Sequence, residues 1–433
     1  MAKMKNSGIE WIGEIPEVWS VIRLKHSAWL KGRIGWQGLR SDEFREEGPY
    51  LITGTDFDNG IVNWNTCVHI TESRFREAPE IHIHEDDLLI TKDGTIGKIA
   101  IAKNCPEKVS LNSGVFIVRN TGKYKYVSKF LYYIIQSNEF TLWFDLGNAG
   151  NSTIKHLNQE MFYNFQFALP PLETQKCIAD FLDSKCSKID SLKNDIQKQI
   201  ETLEQYKKSV ITEAVTKGIN PNTKMKDSGV EWIGKIPEHW EVSNPKWHFV
   251  QRKDRAKLGL KQYTASQKYG VISQEEYMER TGAKIVTVAK DFDILKLVCP
   301  GDFVIHMRSF QGGLEYSEAY GSISSAYVML IPQKTIANPR YYRWFFKSPV
   351  YIDALSSTSN LIRDGQAMRY ANFVQIPILI PTADEQTDIA DYLDKKCSSI
   401  DSIITTKKQQ LEKLEEYKKS LIFEYVTGKK EVV

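Results

Sequence analysis

From Leu182 onward, apolar residues recur at every seventh position, at Ile189, Ile196, Leu203 and Val210, with Leu192 and Tyr206 supplying a second apolar row. Such a heptad pattern predicts a long helix that supercoils with a partner helix. The same chain carries a second copy of the pattern. Leu393, Ile400, Leu414 and Leu421 repeat the first row, broken once by Lys407, and Ile403 and Tyr417 repeat the second. Gln199 and Gln410 occupy matching polar seam positions and are expected to face each other near mid-helix, where a polar pair can fix register. Pro170-Pro171 and Pro381 precede the two helices, Glu173 and Asp384-Glu385 place acid in their first turns, and Gly218 and Gly428 follow their last seam residues. A helix of about forty-five residues spans about 67 Å. Antiparallel packing would create a pseudo-twofold axis and carry the flanking segments to opposite ends, whereas parallel packing would put both at one end; a seam between a unit and its own copy favours the twofold arrangement.

The duplication extends beyond the helices. "MKNSGIEWIGEIPEVWSV" from Met4 returns as "MKDSGVEWIGKIPEHWEV" from Met225, and "QKCIADFLDSKCSKIDSL" from Gln175 returns as "QTDIADYLDKKCSSIDSI" from Gln386. A fixed-offset echo marks a duplicated structural unit. Between the repeated pieces, residues 22–168 and 243–380 match only in fragments, such as "DLLI" from Asp87 and "DFVI" from Asp302. Each of these stretches alternates short apolar runs with turn signals, for example two runs around Asn59-Gly60, two around Lys92-Asp93-Gly94, and an amphipathic helix from Val127. The expected architecture is α+β: two globular domains, residues 1–168 and 219–380, with long antiparallel coiled-coil helices at 169–218 and 381–433.

Composition adds limits. The 433 residues are 42% hydrophobic and 26% charged with a net charge of +3, so any nucleic-acid contact must come from local patches rather than a global field. No long apolar run suggests a membrane span, and the six cysteines form no C-x-x-C pair; a reducing, cytoplasmic setting is expected, with Cys186 and Cys397 as small buried hydrophobes. The turn Lys92 to Lys98 offers two lysines, Thr95 and two glycines, which suits a loop facing DNA. Its counterpart from His306 offers Arg308, Ser309 and Gln311 instead, and arginine and glutamine can make bidentate base-edge contacts. Lys31, Arg33 and Arg40 interleave with aromatic and glycine residues, a pattern of nucleic-acid contact. Lys155 and His156, and Arg363 and Arg369, sit just before the closing apolar run of each stretch. Catalytic signatures fail: "DGTIGK" lacks the first glycine and the Ser/Thr of a phosphate loop, and His82 and His84 have no partners at metal spacing. No metal site and no catalytic residue is expected.

Taken together, "SGIEWIGEIPEVWSV", "IADFLDSKCSKIDSL", "KGRIGWQGLR", "GTDFDNG" and "TKDGTIGK" resemble the specificity subunit of type I restriction-modification enzymes, over essentially the full chain. The resemblance implies two target recognition domains, each reading one half of an asymmetric, bipartite double-stranded DNA sequence, with helices setting the spacer. It implies docking of two modification (methyltransferase) subunits and of restriction (translocase/nuclease) subunits. S-adenosylmethionine, ATP and Mg2+ would belong to those partners, with none bound here directly. It also carries DNA contact onto Lys92, Thr95 and Lys98. The residues alone also leave open a freestanding DNA-binding protein or a self-contained DNA methyltransferase.

Overall fold

The computed structural model describes residues 3–33, 39–121, 123–148, 156–285, 294–358 and 368–432. Its contacts divide the chain into two compact units: residues 1–196 with 409–433, and residues 197–408. Both are α+β.

In the first unit, β1 (Ala28–Gly32), β2 (Leu88–Thr91), β3 (Ile99–Ile101) and β4 (Val115–Asn120) form an antiparallel ribbon in the order β1-β4-β2-β3. The sheet is extended to six strands by the Asn59-Gly60 hairpin, whose two turn residues both have positive φ, the backbone that a two-residue turn of this kind requires. Two helices follow, α1 (Ser128–Gln136) and α2 (Asn138–Gly147). The long α3 (Leu172–Lys217) comes next.

The second unit repeats the ribbon. Strands β5 (Phe249–Gln251), β6 (Phe303–Ile305), β7 (Glu315–Tyr316) and β8 (Val328–Pro332) pair in the order β5-β8-β6-β7, again all antiparallel. Helices α4 (Pro339–Phe345) and α5 (Pro349–Ser357) follow, then the long α6 (Ala383–Val426). At the head of β2 and of β6 stands a buried aspartate that caps its own turn: Asp87 accepts from the His84 amide at 2.7 Å, and Asp302 from the Cys299 amide at 2.9 Å. An uncompensated charge there would be costly, and each carboxylate is gripped in two places by an arginine. Arg119, from the end of β4, serves Asp87, whereas Arg252, just after β5, serves Asp302 at 2.8 Å. The same need is met from different strands.

A single anchoring device joins each unit's short helices to its long one. The buried Gln175 side chain accepts from the Val127 amide at 2.8 Å and donates to the Pro170 carbonyl; Gln386 accepts from Asn338 and donates to Pro381 in the same way. About two turns further along, Asp183 accepts from Tyr133 and pairs with Lys129. Asp394 accepts from Trp344 and pairs with Arg340.

The seam differs from the sequence expectation in one row. Leu182, Ile189, Ile196, Leu393, Ile400 and Leu421 are buried, and Leu203 and Leu414 half-buried, as the first apolar row requires. The second row lies four residues beyond each of these, not three: Cys186, Lys193, Ile200, Lys207 and Ala214 on α3, and Cys397, Ile404, Leu411 and Lys418 on α6. Leu192, Tyr206, Ile403 and Tyr417 are each 44–56% exposed. The lysines disguise the true row, since their aliphatic stems cover the seam while their ammonium groups reach across it. Lys193 pairs with Glu415, and Lys418 with Asp190, in the first unit. Lys207 pairs with Asp401 at 2.6 Å in the second. Within each unit the pairs run antiparallel. Gln199 and Gln410 are both exposed, and Gln199 Oε1 accepts from Lys407 Nζ at 2.5 Å.

The doubled opening phrase folds as the same hairpin twice, Met4 opposite Pro16 and Met225 opposite Pro237. Each hairpin packs a buried tryptophan against the end of a long helix. Trp240 lies by Gly218, while Trp19 and Pro16 lie by Gly428, and Lys429 Nζ donates to the Ile12 carbonyl at 2.8 Å. Gly428 has φ +69°, and a Cβ there would sit 2.5 Å from Pro16, so the position requires glycine. Cys186 and Cys397 are free and buried, and burial pushes both thiols up to about 11. No helix among the described residues is long and apolar enough to cross a membrane.

Candidate nucleic-acid interface

The loop between β2 and β3 is held closed from inside. Thr91 Oγ1 donates to the Thr95 carbonyl at 2.5 Å and accepts from the Lys98 amide at 3.0 Å, with Gly94 and Gly97 at φ +68° and +84°. Only glycine adopts such angles without strain. The side chains of Thr95 and Lys98 are left exposed.

Lys92 turns the other way. It pairs with Asp93 at 2.8 Å and lies 5.6 Å from the centre of the Phe116 ring. His156 Nδ1 stands 2.8 Å from the other oxygen of Asp93. Burial alone would raise the Asp93 carboxyl, but the hydrogen bonds and charges of Lys92 and His156 hold it below the usual range. These residues line a cleft of about 380 Å³ together with Lys31, Asn158 and Gln159. Lys31, Lys92 and His156, remote in sequence, are thereby brought together. Two lysines and an imidazole lining one cleft form a concave, donor-rich surface.

Arg33 borders the same cleft but does not offer its charge there. It is 3% exposed, with Nε donating to the Leu111 carbonyl at 2.9 Å and Nη2 to Ser110 Oγ at 3.1 Å. Burial lowers its pKa. Its role is to tie the chain after β1 to the strand at Val109–Leu111, which corrects the expectation of a nucleic-acid contact. Arg40 is exposed and begins a short turn, its backbone amide donating to Glu43 Oε2 at 3.0 Å. Lys155 and Arg363 lie outside the described residues. Arg369 is exposed at the start of the turn Tyr370–Phe373.

In the second unit the loop between β6 and β7 occupies the place of the Thr91–Lys98 loop in the repeated ribbon. Arg308 and Gln311 are exposed, Arg308 at the start of a short helical turn, Ser309–Gly312, and Gln311 within it. Ser309 is fully buried, its hydroxyl accepting from the His306 amide at 2.9 Å, so it shapes the loop and is not free to meet a ligand. Sequence reasoning missed His306, Glu315 and Lys347, which surround this loop; the two buried charged types flanking it were the available signal. His82, read as unable to hold a metal, stacks on Phe75 at 3.8 Å and bonds the Phe75 carbonyl.

The duplicated frame thus presents two differently equipped loops at one position. Residues 35–202 match the family described as type I restriction modification DNA specificity domain. The chain is 28% identical to the type I restriction enzyme MjaVIII specificity subunit of Methanocaldococcus jannaschii, over 96% of this chain and 93% of that one. It is 20% identical to the EcoKI specificity subunit of Escherichia coli K12, over 90% and 84%. Among solved structures, the HsdS subunit from Thermoanaerobacter tengcongensis matches with TM-score 0.52 at 14% identity, over 96% of this chain and 98% of that one. A chain from a study of complex assembly and conformational transition of the type I R-M system matches with TM-score 0.69, also at 14% identity, over 96% and 99%. Over nearly its whole length the chain is thus similar to the specificity subunits of type I restriction enzymes.

Proposed function

We propose that each unit reads one half of an asymmetric, bipartite double-stranded DNA target. The observation that carries this reading is the repeated ribbon with unlike loops: Lys92, Thr95 and Lys98 stand where the other copy has Arg308 and Gln311. Arginine and glutamine suit base edges in the major groove, and lysines suit phosphates. Lys31, Lys92 and His156 in the cleft, with Arg40 and Lys155 near them in sequence, and Arg363 and Arg369 in the second unit, supply backbone contacts that fix register. The long helices set the separation between half-sites.

The exposed rows Leu192–Tyr206 and Ile403–Tyr417 support docking of two modification subunits, because heptad-spaced apolar residues left outside an intramolecular seam suit further helices. Restriction subunits join through that assembly. S-adenosylmethionine, ATP and Mg2+ act in those partners, in the cytoplasm. The test is an exchange of residues 22–168 for the matching segment of another specificity subunit, followed by sequencing of methylated sites in cells carrying the modification subunit. One half of the target changes and the other stays; a change in both halves refutes the scheme.

A further inference from the structure

We infer that Lys347 and Glu315 are positioning residues that clamp the second reading loop, an inference that rests on the reading of residues 306–313 as a base-contacting loop. Glu315 opens β7 with its side chain 3% exposed. A carboxylate so placed needs a partner. Lys347, two residues beyond α4, supplies it: its ammonium pairs with Glu315 and also donates to the Gly312 carbonyl at 2.9 Å. The lysine therefore ties the loop backbone to the helix and to the exit strand at once.

The rest of the loop is fixed from the same side. His306, 7% exposed, has Nε2 at 3.7 Å from Glu315 and accepts from the Arg308 amide through Nδ1 at 3.2 Å. Gln267 Nε2 donates to the Arg308 carbonyl at 3.0 Å. Gly313, at φ +76°, passes so close to Phe346 that a Cβ would lie 1.9 Å from its carbonyl oxygen. Every backbone anchor thus faces inward, and what remains free is the pair of side chains that could meet bases, Arg308 and Gln311. A loop held at this many points presents them without first having to be ordered.

No such clamp is found among the described residues of the first unit. Aligning Asp87 with Asp302 puts Thr91 at the place of His306 and Ala100 at that of Glu315, and the helix repeat puts Gln136 at that of Lys347. There the loop is closed by the Thr91 hydroxyl. The clamp accordingly acts on one half of the target alone.

The test uses the full chain in complex with its modification subunit and reads methylated sites genome-wide. Lys347→Met is expected to raise methylation at sites altered in the second half by about tenfold, leaving the first half as strict as before, and Lys347→Arg to restore strictness. If Lys347→Met prevents folding, the double variant Lys347→Met/Glu315→Gln, which removes both charges together, carries the same expectation. Equal loss in both halves, or an unchanged target from a folded variant, overturns the clamp. Arg308→Ala run in parallel separates the two levels. If it relaxes the second half while Lys347→Met does not, the clamp alone fails; if Arg308→Ala leaves the second half unchanged, the reading of the loop fails with it.

Discussion

The register of the helical seam makes a quantitative prediction, because sequence periodicity alone ranks two residues in the opposite order from the structure. Leu192 occupies an apolar heptad row but is 48% exposed, whereas Ile200, outside the rows first read from the sequence, is 3% exposed in the seam. Ile200→Ala removes three carbons, worth about 2.4 kcal/mol at about 0.8 kcal/mol each. The cavity left between two packed helices brings the loss to about 3 kcal/mol. Leu192→Ala removes as many carbons, but from a site that water already reaches and where no cavity can form, so its loss is about 1 kcal/mol or less. Urea unfolding of the full chain, followed by circular dichroism, compares the two variants with the parent. The reasoning is refuted if Leu192→Ala destabilises as much as Ile200→Ala. If the exposed row serves partners, Leu192→Ala should instead weaken co-purification of the modification subunit while Ile200→Ala affects both.

Gly428→Ala is expected to destabilise the first unit by about 2 kcal/mol, since it adds strain at positive φ to a collision with Pro16; Gly229→Ala, at φ +71° with open space around it, should cost about 1 kcal/mol, and thermal unfolding distinguishes them. Glu139 is buried without a partner for Oε1, and burial raises its carboxyl to about 8 despite the opposing charge of Lys429. The folded chain therefore keeps this proton at pH values where the unfolded chain has released it, so its contribution to stability is full below about 4.5 and is lost as pH rises toward about 8. Glu139→Gln should match the parent near pH 5 and exceed it by a few kcal/mol, on the order of 3, at pH 8; equal stability of the two at pH 8 would exclude the assignment.

The duplication and the existence of two long helices were legible because their residues repeat in place. Identity of residues was not needed for repetition of structure, however. The helix repeat continues upstream to Lys129 and Arg340, Tyr133 and Trp344, and Ser137 and Ser348, where only the serine is unchanged. What persists there is chemistry: a cation and a ring-borne donor directed at Asp183 or Asp394. The repeated ribbon was hidden for a different reason, since its strands are two to six residues long and separated by loops of unequal length. The second seam row was misread because Lys193 and Lys207 look like surface residues until their partners on the other helix are known. Arg33 shows the reverse error. Its basic and aromatic sequence neighbours suggested an exposed contact, and the groups that bury it, Ser110 and Leu111, lie more than seventy positions away.

The packing of Gly428 and Lys429 against the Trp19 hairpin also bears on how the protein is made. Residues 197–408 contain everything the second unit needs, while the first unit draws on residues 409–433. A ribosome releases the chain from its N-terminus, and domains generally fold as their residues emerge. The unit encoded first must therefore wait, with part of the surface around Trp19 uncovered, until residues 409–433 have been synthesised. The order of completion is the reverse of the order of translation.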